Sequence, residues 1–351
     1  MKLSVFTPNT FHQLKDVWEQ LENGPDMTIF QTYRWYEWLN GTYQKEHLKN
    51  LFRSWIYLYV SDGDKPLLIA PLQISRHYSL LSGGKLSAKA CLAGKSDYSD
   101  YLNFIYKDFS NDAFSLIFDY LKENGIKNIV FDKLKQNSCL FEFLTNNYPH
   151  QELRTSQCVA LDLPTTFEEY KKKLSKNFRQ NMRTAINRQI KNGFAFTHEI
   201  SFEISQDTIE HLMKIRQQRL GEKQRKAVQK PASKIYLFLR NIFCNIFDAK
   251  QSIFDTPCNA WCFTVKAKKK IIAFYWGLYD SHKKIYYVIL AGVDKEYMWY
   301  SPAISHFYLF IEELYKQPIS IQTFDFLRGS EKYKFDLGGQ SIIIKTLKIY
   351  L

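Results

Sequence analysis

A mixed α/β fold (α+β, with a mixed sheet) in two tandem domains is what this sequence predicts, on three observations. The chain has 351 residues, more than one typical domain holds and enough for two. Hydrophobic residues make up 45% and aromatic residues 16% of it, so a large core can be buried and global disorder is excluded. One order of elements also occurs twice: a strand carrying a tryptophan, a hairpin, an apolar strand, a third strand, a helix, and a strand that contains Phe-Asp.

The first copy reads Trp55–Val60, a turn at Ser61–Lys65, Pro66–Ile74, a third strand at Leu102–Tyr106, a helix Asp112–Glu123 closed by Gly125, and Ile126–Asp132. Ahead of it stand a short strand at Leu3–Phe6, a helix from Thr10 to about Leu21, and an aromatic helix at Phe30–Leu39. Leu80–Lys95 is rich in Gly, Ser and Lys and reads as a loop. Ser138–Asn146 is a helix, and Cys158–Leu163 is the strand that opens the second half. Domains are expected at 1–155 and 156–351.

The second half continues with one long basic helix, Thr166–Asn192, ended by Gly193. It carries Lys171, Lys172, Lys173, Lys176, Arg179, Arg183, Arg188 and Lys191, with no acid after Glu169. A strand at Phe194–His198, a helix from Asp207 to about Leu220, a polar loop Gly221–Pro231 and a helix Ser233–Phe247 follow. Asn259–Ala267 and Lys270–Tyr279 form the second hairpin.

The strand Ile285–Ala291 is almost unbroken in apolar and β-branched residues, as expected of a strand buried on both faces. Ser301 is placed to cap a helix, and Pro302 suits its first position, where a missing N–H costs nothing. Ile304, Phe307, Tyr308, Ile311 and Leu314 keep a helical period until Pro318. The strand Ile319–Leu327 ends in Arg328-Gly-Ser-Glu-Lys-Tyr-Lys334. A helix N-terminus at the carboxyl end of a buried strand is where an α/β sheet takes phosphate. The plain alternative is an ordinary strand–helix–strand unit with a well-capped helix.

The net charge of +13 favours anionic partners such as nucleic acid, a phosphorylated cofactor or an anionic membrane face. Cys91, Cys139, Cys158, Cys244, Cys258 and Cys262 make no Cys-x-x-Cys and no zinc-finger spacing, and read as free thiols of a reducing compartment. The N-terminus lacks the apolar core of a signal peptide, and no apolar run approaches the roughly 20 residues of a membrane span. The protein is expected in the cytoplasm, with the inner face of the membrane as the other place. Neither a Walker loop nor a Ser–His–Asp elbow is present.

Leu174–Arg183 with Gly193, Tyr300-Ser-Pro-Ala303, Phe324–Gly329 with Tyr333-Lys334, and Phe30-Gln31 with Trp35 and Trp38 together resemble the GNAT acyltransferases. The tandem arrangement is similar to their Fem-like branch and, within it, to the CelD-like acetyltransferase domain. The family usually has Gly after Ser-Pro; here Ala303 stands there, which implies a slightly tighter approach of phosphate.

The resemblance implies two GNAT-like acyl-CoA N-acyltransferase domains, the first degenerate. Acetyl-CoA or another acyl-CoA would be the co-substrate, with no metal, and an amine acceptor such as an amino sugar of a surface polysaccharide would take the acyl group. The acyl carbonyl would lie by Ile289, Leu290 and Ala291, polarised by backbone N–H groups, and the diphosphate at Ser301, Ala303 and Ile304. Asp325 and Glu331 are candidate bases, and Tyr333 a candidate acid toward the leaving thiolate. Arg328 and Lys334 would hold an anionic acceptor or phosphate. Beside these stand plainer uses: Asp325 closing a strand, Arg328 and Glu331 as a surface ion pair, and Lys334 in solvent.

Arg179 and Arg183 on the basic helix belong to a solvated face or to substrate binding, and a tRNA backbone is the substrate that suits them there. The Fem-like enzymes proper take amino acids from aminoacyl-tRNA, but the coiled-coil arm common among them does not fit in Gly221–Pro231. Acyl-CoA is therefore the favoured donor and tRNA the alternative, with no DNA partner. A non-catalytic basic binding protein on the same fold is the third reading. The retained Asp325, Arg328 and Lys334 weigh against it.

Overall fold

The computed structural model describes residues 1–45, 53–79, 85–94, 98–227, 253–316 and 321–351. The chain divides into two compact units, Met1–Ser156 with Cys244–Pro257 and Ile343–Leu351, and Gln157–Phe243 with Cys258–Ile342.

In the first unit, β1 (Lys2–Phe6) is followed by a 3-10 turn at Phe11–Leu14 and by α1 (Lys15–Leu21). Thr28 and Gln31 form a capping box on a second 3-10 turn, which leads into α2 (Tyr33–Lys45). These helices bury aromatic rings: Trp18, Trp35 and Tyr36 are fully enclosed, and Phe11 stacks on Tyr33 with centroids 4.8 Å apart. Then come β2 (Arg53–Asp62), β3 (Lys65–Ser79), β4 (Lys85–Leu92), α3 (Asn111–Glu123), β5 (Asn128–Lys135), α4 (Cys139–Asn147) and β6 (His150–Asp162). Ser110 and Ser138 cap α3 and α4 by accepting the N–H of Ala113 and Phe141. The sheet runs β1-β2-β3-β4-β5, antiparallel except for the parallel pair β4–β5.

Two expectations change here. The third strand is Lys85–Leu92, read from sequence as a loop, and Leu102–Tyr106 joins the sheet only through a bridge between Ile69 and Ile105. Leu102, Phe104, Ile105 and Tyr106 are nonetheless fully buried. An apolar run reports burial, and burial needs no ladder.

The second unit takes the rest of β6 and continues with α5 (Phe167–Lys173), α6 (Lys176–Lys191), β7 (Phe196–Ser201) and α7 (Gln206–Ala227). The single long helix expected over 166–192 is two helices. Leu174 and Ser175 are extended, Leu174 is buried, and the Ser175 hydroxyl accepts the Phe178 N–H at 3.0 Å, so a serine cap starts a new helix. α7 runs past the expected end near Leu220 to Ala227, and the helix expected at 233–247 lies outside the described residues.

Next are β8 (Ala260–Ala267), β9 (Lys270–Asp280), β10 (Ile285–Val293), a 3-10 turn at Lys295–Tyr300, α8 (Pro302–Leu314), β11 (Thr323–Arg328) and α9 (Lys332–Asp336). The sheet order is β7-β8-β9-β10-β11-β6, again antiparallel except for one parallel pair, β10–β11. The two units thus repeat one topology, hairpin, third strand, helix and parallel strand. The chain ends in β12 (Gln340–Tyr350), which pairs antiparallel with β5. That pairing assigns Ile343–Leu351 to the first unit, whereas the sequence predicts that everything from 156 onward belongs to the second.

The core of the second unit gathers Phe263, Tyr275, Tyr286, Phe307, Phe310, Phe324 and Phe326 between the sheet and α8. Within that packing His306 is 4% exposed, with its Nδ1 3.1 Å from Nδ1 of His198. Burial, and then His198, push His306 down to about 4 from its ordinary 6.5. A depressed histidine is buried neutral, so as pH falls from 6.5 toward 4 the unfolded chain takes up a proton that the folded chain refuses. Each pH unit crossed in that interval costs about 1.4 kcal/mol, and the whole loss of stability comes to roughly 3 kcal/mol. We expect the urea midpoint to fall between about pH 7 and 4.5, and His306→Asn to flatten that fall. An unchanged acid slope in the variant refutes the assignment.

Candidate active site

β10 and β11 separate part-way along their length, and the site is built around that separation. Their parallel register runs through Ile285↔Thr323, Tyr286↔Phe324 and Tyr287↔Asp325 and goes no further. At the same level β10 slips against β9: Val288 faces Gly277 and Leu290 faces Trp276, which leaves Ile289 as the extra residue of a β-bulge. β11 is irregular there too, with a register shift against β6 between Asp325 and Arg328 and with Leu327 left-handed at φ 53°.

Gly277 makes the bulge possible. A Cβ at this position would stand 1.9 Å from the Tyr287 carbonyl oxygen, so only glycine lets that carbonyl in. Gly292, at the far end of β10, is required for packing: its Cβ would meet Phe274 at 2.6 Å and Ile215 at 2.9 Å.

Two cavities meet at the separation. One, of about 190 Å³, lies between β9, β10 and the start of α8, and its walls include Tyr275, Gly292, Met298, Ser301, Ala303 and Ile304. The other, of about 180 Å³, is lined by Val288–Leu290 on one side and by Phe326, Arg328 and Glu331 on the other, with Arg216 from α7 and Lys334 from α9. Ala291 and Tyr333 belong to both linings, which puts Tyr333 at the junction.

The first cavity ends at a helix N-terminus with open donors. Pro302 has no N–H, and the first backbone bond back into this end is Ser305 N–H to Ser301 C=O at 3.1 Å. The amides of Ala303 and Ile304 precede it and face the cavity end of the helix dipole. Ser301 occupies the cap position but does not cap as expected. It is left-handed, at φ 50° and ψ 43°, and makes no side-chain cap bond. Gln189, buried on α6, instead ties this end to α6 by donating to the Tyr300 carbonyl and to the Ser305 hydroxyl, each at 3.0 Å, and leaves the amides open.

The second cavity is held open by Lys334. Its ammonium is buried and donates to the carbonyls of Phe326 at 3.0 Å, Arg328 at 3.1 Å and Gly329 at 3.1 Å, with Leu327 at 3.4 Å and Glu331 Oε2 at 3.0 Å. Lys334 therefore does not reach outward to an anionic ligand as expected, nor does it sit in solvent. It ties down the strand end and the short helix that carries Tyr333. Gly329, at φ 120°, allows the tight return between them.

Of the expected site residues, the structure brings together Ile289, Leu290, Ala291, Ser301, Ala303, Ile304, Arg328, Glu331 and Tyr333 around these cavities. Asp325 lines neither: it is buried on the strand, and its Oδ1 accepts the Leu327 N–H at 2.8 Å. Arg179 and Arg183 line a separate cavity of about 300 Å³ with Lys171, Lys172 and Tyr308. Sequence reasoning missed Arg216, which carries no local motif, and Gly277, whose signal was a glycine inside an apolar strand. Among the described residues no group of three or more His, Cys, Asp or Glu is placed to hold a metal ion, and no helix is long and apolar enough to cross a membrane.

Residues 176–335 match the family described as acetyltransferase (GNAT) domain. Among solved structures, FemX is similar over 100% of this chain and 98% of its own, at 13% identity and a TM-score of 0.57. A conserved protein of unknown function from Bacteroides thetaiotaomicron matches over 100% of both chains at 10% identity and a TM-score of 0.48. A tandem GNAT protein from the clavulanic acid biosynthesis pathway matches over 99% of this chain and 98% of its own, at 8% identity and a TM-score of 0.45. No curated protein matches the chain.

The two structural devices can be broken separately. Gly277→Ala forces the Tyr287 carbonyl away, and we expect a loss of about 1–3 kcal/mol of stability together with loss of ligand binding at the bulge. Lys334→Met leaves four carbonyls and Glu331 without their cation, and on the order of 3 kcal/mol is expected to go. Denaturant melts measure both. A Lys334→Met protein as stable as the parent would show that the clamp is dispensable.

Proposed function

We propose that this chain, which carries a GNAT-superfamily acyltransferase domain at residues 176–335, transfers an acyl group from acyl-CoA to an amine. The observation that carries this reading is the parting of β10 from β11 at a β-bulge, next to a helix N-terminus with open amides. A thioester with a diphosphate at its far end has both of its demanding groups matched there. The diphosphate meets the Ala303 and Ile304 amides. The thioester carbonyl meets the backbone of the bulge around Ile289 and Leu290, whose N–H groups would polarise it.

The amine enters from the cavity with Arg216 and Arg328. Its nitrogen attacks the carbonyl carbon, the C–S bond breaks, the amine proton leaves to a base, and the thiolate takes a proton from an acid. Tyr333, at the junction, is the acid. Glu331 is better placed than Asp325 as the base, directly or through water, because Glu331 lines the acceptor cavity and Asp325 does not. The two guanidinium groups suit an acceptor that carries an anionic group beside its amine, and amino sugars of cell-surface polysaccharides are the class to test first.

An aminoacyl-tRNA donor is the second reading. What favours it is the basic cavity at Arg179 and Arg183 together with the likeness in fold to FemX.

Melting curves with acetyl-CoA, longer acyl-CoAs and CoA test the donor, since a ligand of the native state raises the melting temperature by mass action. A rise with CoA compounds that is absent in Ala303→Glu is expected. No rise with any of them refutes an acyl-CoA donor, and salt-dependent binding of aminoacyl-tRNA would then support the second reading.

A further inference from the structure

The basic cavity on the outer side of α5, α6 and α8 takes no part in the transfer chemistry. Its lining holds four cations, Lys171, Lys172, Arg179 and Arg183, and one carboxylate, Glu168, which is paired with Lys171. Met182, Ile186 and Tyr308 give it an apolar floor. Nε of Arg179 is buried and, among the described residues, has no hydrogen-bond partner. Burial, and then Glu312, raise the Tyr308 phenol, while Lys171, Arg183 and Arg179 lower it, which puts these cations within electrostatic reach of the same ring. A concave site of net positive charge with an unsatisfied guanidinium N–H asks for a compact anion with several acceptor oxygens.

The helices say which anion. α6 runs antiparallel beside α8: Arg188 donates to the Trp299 carbonyl at 2.6 Å, Gln189 holds Tyr300 and Ser305, and further back Arg183 and Arg179 flank Tyr308. Ile304 at the diphosphate end and Tyr308 in the basic cavity are four residues apart on α8, hence on one face. At 1.5 Å per residue, Arg183 and Arg179 lie roughly 8 and 14 Å along α6 from Arg188. A donor whose diphosphate rests on Ala303 and Ile304 carries its next phosphate one ribose away, a span that this flank covers.

Resting on the acyl-CoA reading, we propose that this cavity binds the ribose 3′-phosphate of the donor, so that the protein grips the nucleotide by two phosphate sites on one helix. The two cations of α6 make the contact, Lys172 adds charge, and Tyr308 offers its hydroxyl.

Dephospho-CoA lacks only that phosphate, so calorimetric titration of CoA against dephospho-CoA isolates the site. The parent protein is expected to bind CoA about tenfold or more tightly than dephospho-CoA, the scale of charge-assisted hydrogen bonds. In Arg183→Gln, at an exposed position, and in Arg179→Gln, the ratio is expected to fall toward one while dephospho-CoA affinity holds. Equal affinities for the two ligands in the parent overturn the inference and leave the acyl-CoA reading standing. A ratio that survives both variants also overturns it. Binding of neither ligand overturns both. If the ratio survives while the variants lose salt-dependent binding of tRNA, the cavity serves RNA and the inference fails.

Discussion

Everything at the candidate site depends on one failure of pairing. Two parallel strands at the centre of a sheet normally exchange hydrogen bonds to their ends, because a buried, unpaired amide is costly. Here β10 and β11 stop at Tyr287 and Asp325. Gly277 accepts the displaced Tyr287 carbonyl where any other residue would place a Cβ, and the bulge at Ile289 turns β10 away from its neighbours. The groups released by this parting are what a carbonyl-bearing ligand can use.

The same failure creates a second demand. β11 is irregular against β6 between Asp325 and Arg328, and Lys334 gathers the carbonyls from Phe326 to Gly329 at that end. That explains why a lysine is buried beside a cavity without serving as its cation. It also explains how Tyr333 comes to be held at the junction: it is carried by a five-residue helix whose next residue is anchored to those carbonyls and to Glu331. The first unit solves a related problem in its own way. Lys133 is left-handed at φ 59° and buried, with its ammonium on the Ser99 carbonyl and 3.6 Å from Asp100. Each unit thus has a buried lysine near the end of its parallel strand, Lys133 on the strand itself and Lys334 on the helix that follows, with different partners.

At the other end of the cleft, rigidity comes from α6. Gln189 ties the α8 N-terminus to α6 where Ser301, in its left-handed conformation, does not cap it. The donor amides are therefore positioned from outside their own helix. The break between α5 and α6 at Ser175 sets where α6 lies, and so where its cations fall along α8.

The sequence by itself determined most of the element types, the duplication and the strand–helix–strand unit of the site, because periodicity, caps and breakers act over a few residues and leave a local record. Ser138, Pro302 and the run Ile285–Ala291 were legible for that reason. Only the tertiary structure decided what depends on partners distant in the chain. It made Lys85–Leu92 the third strand, since pairing partners and not apolar content choose a strand. It joined β12 to β5, far apart in the chain, for the same reason. It turned Lys334 inward, set Asp325 aside on a backbone amide, and brought Arg216 to the cleft from a helix with no motif. A side chain's type states what it can bond to; which group it meets is settled only when the strands have parted and the helices have docked.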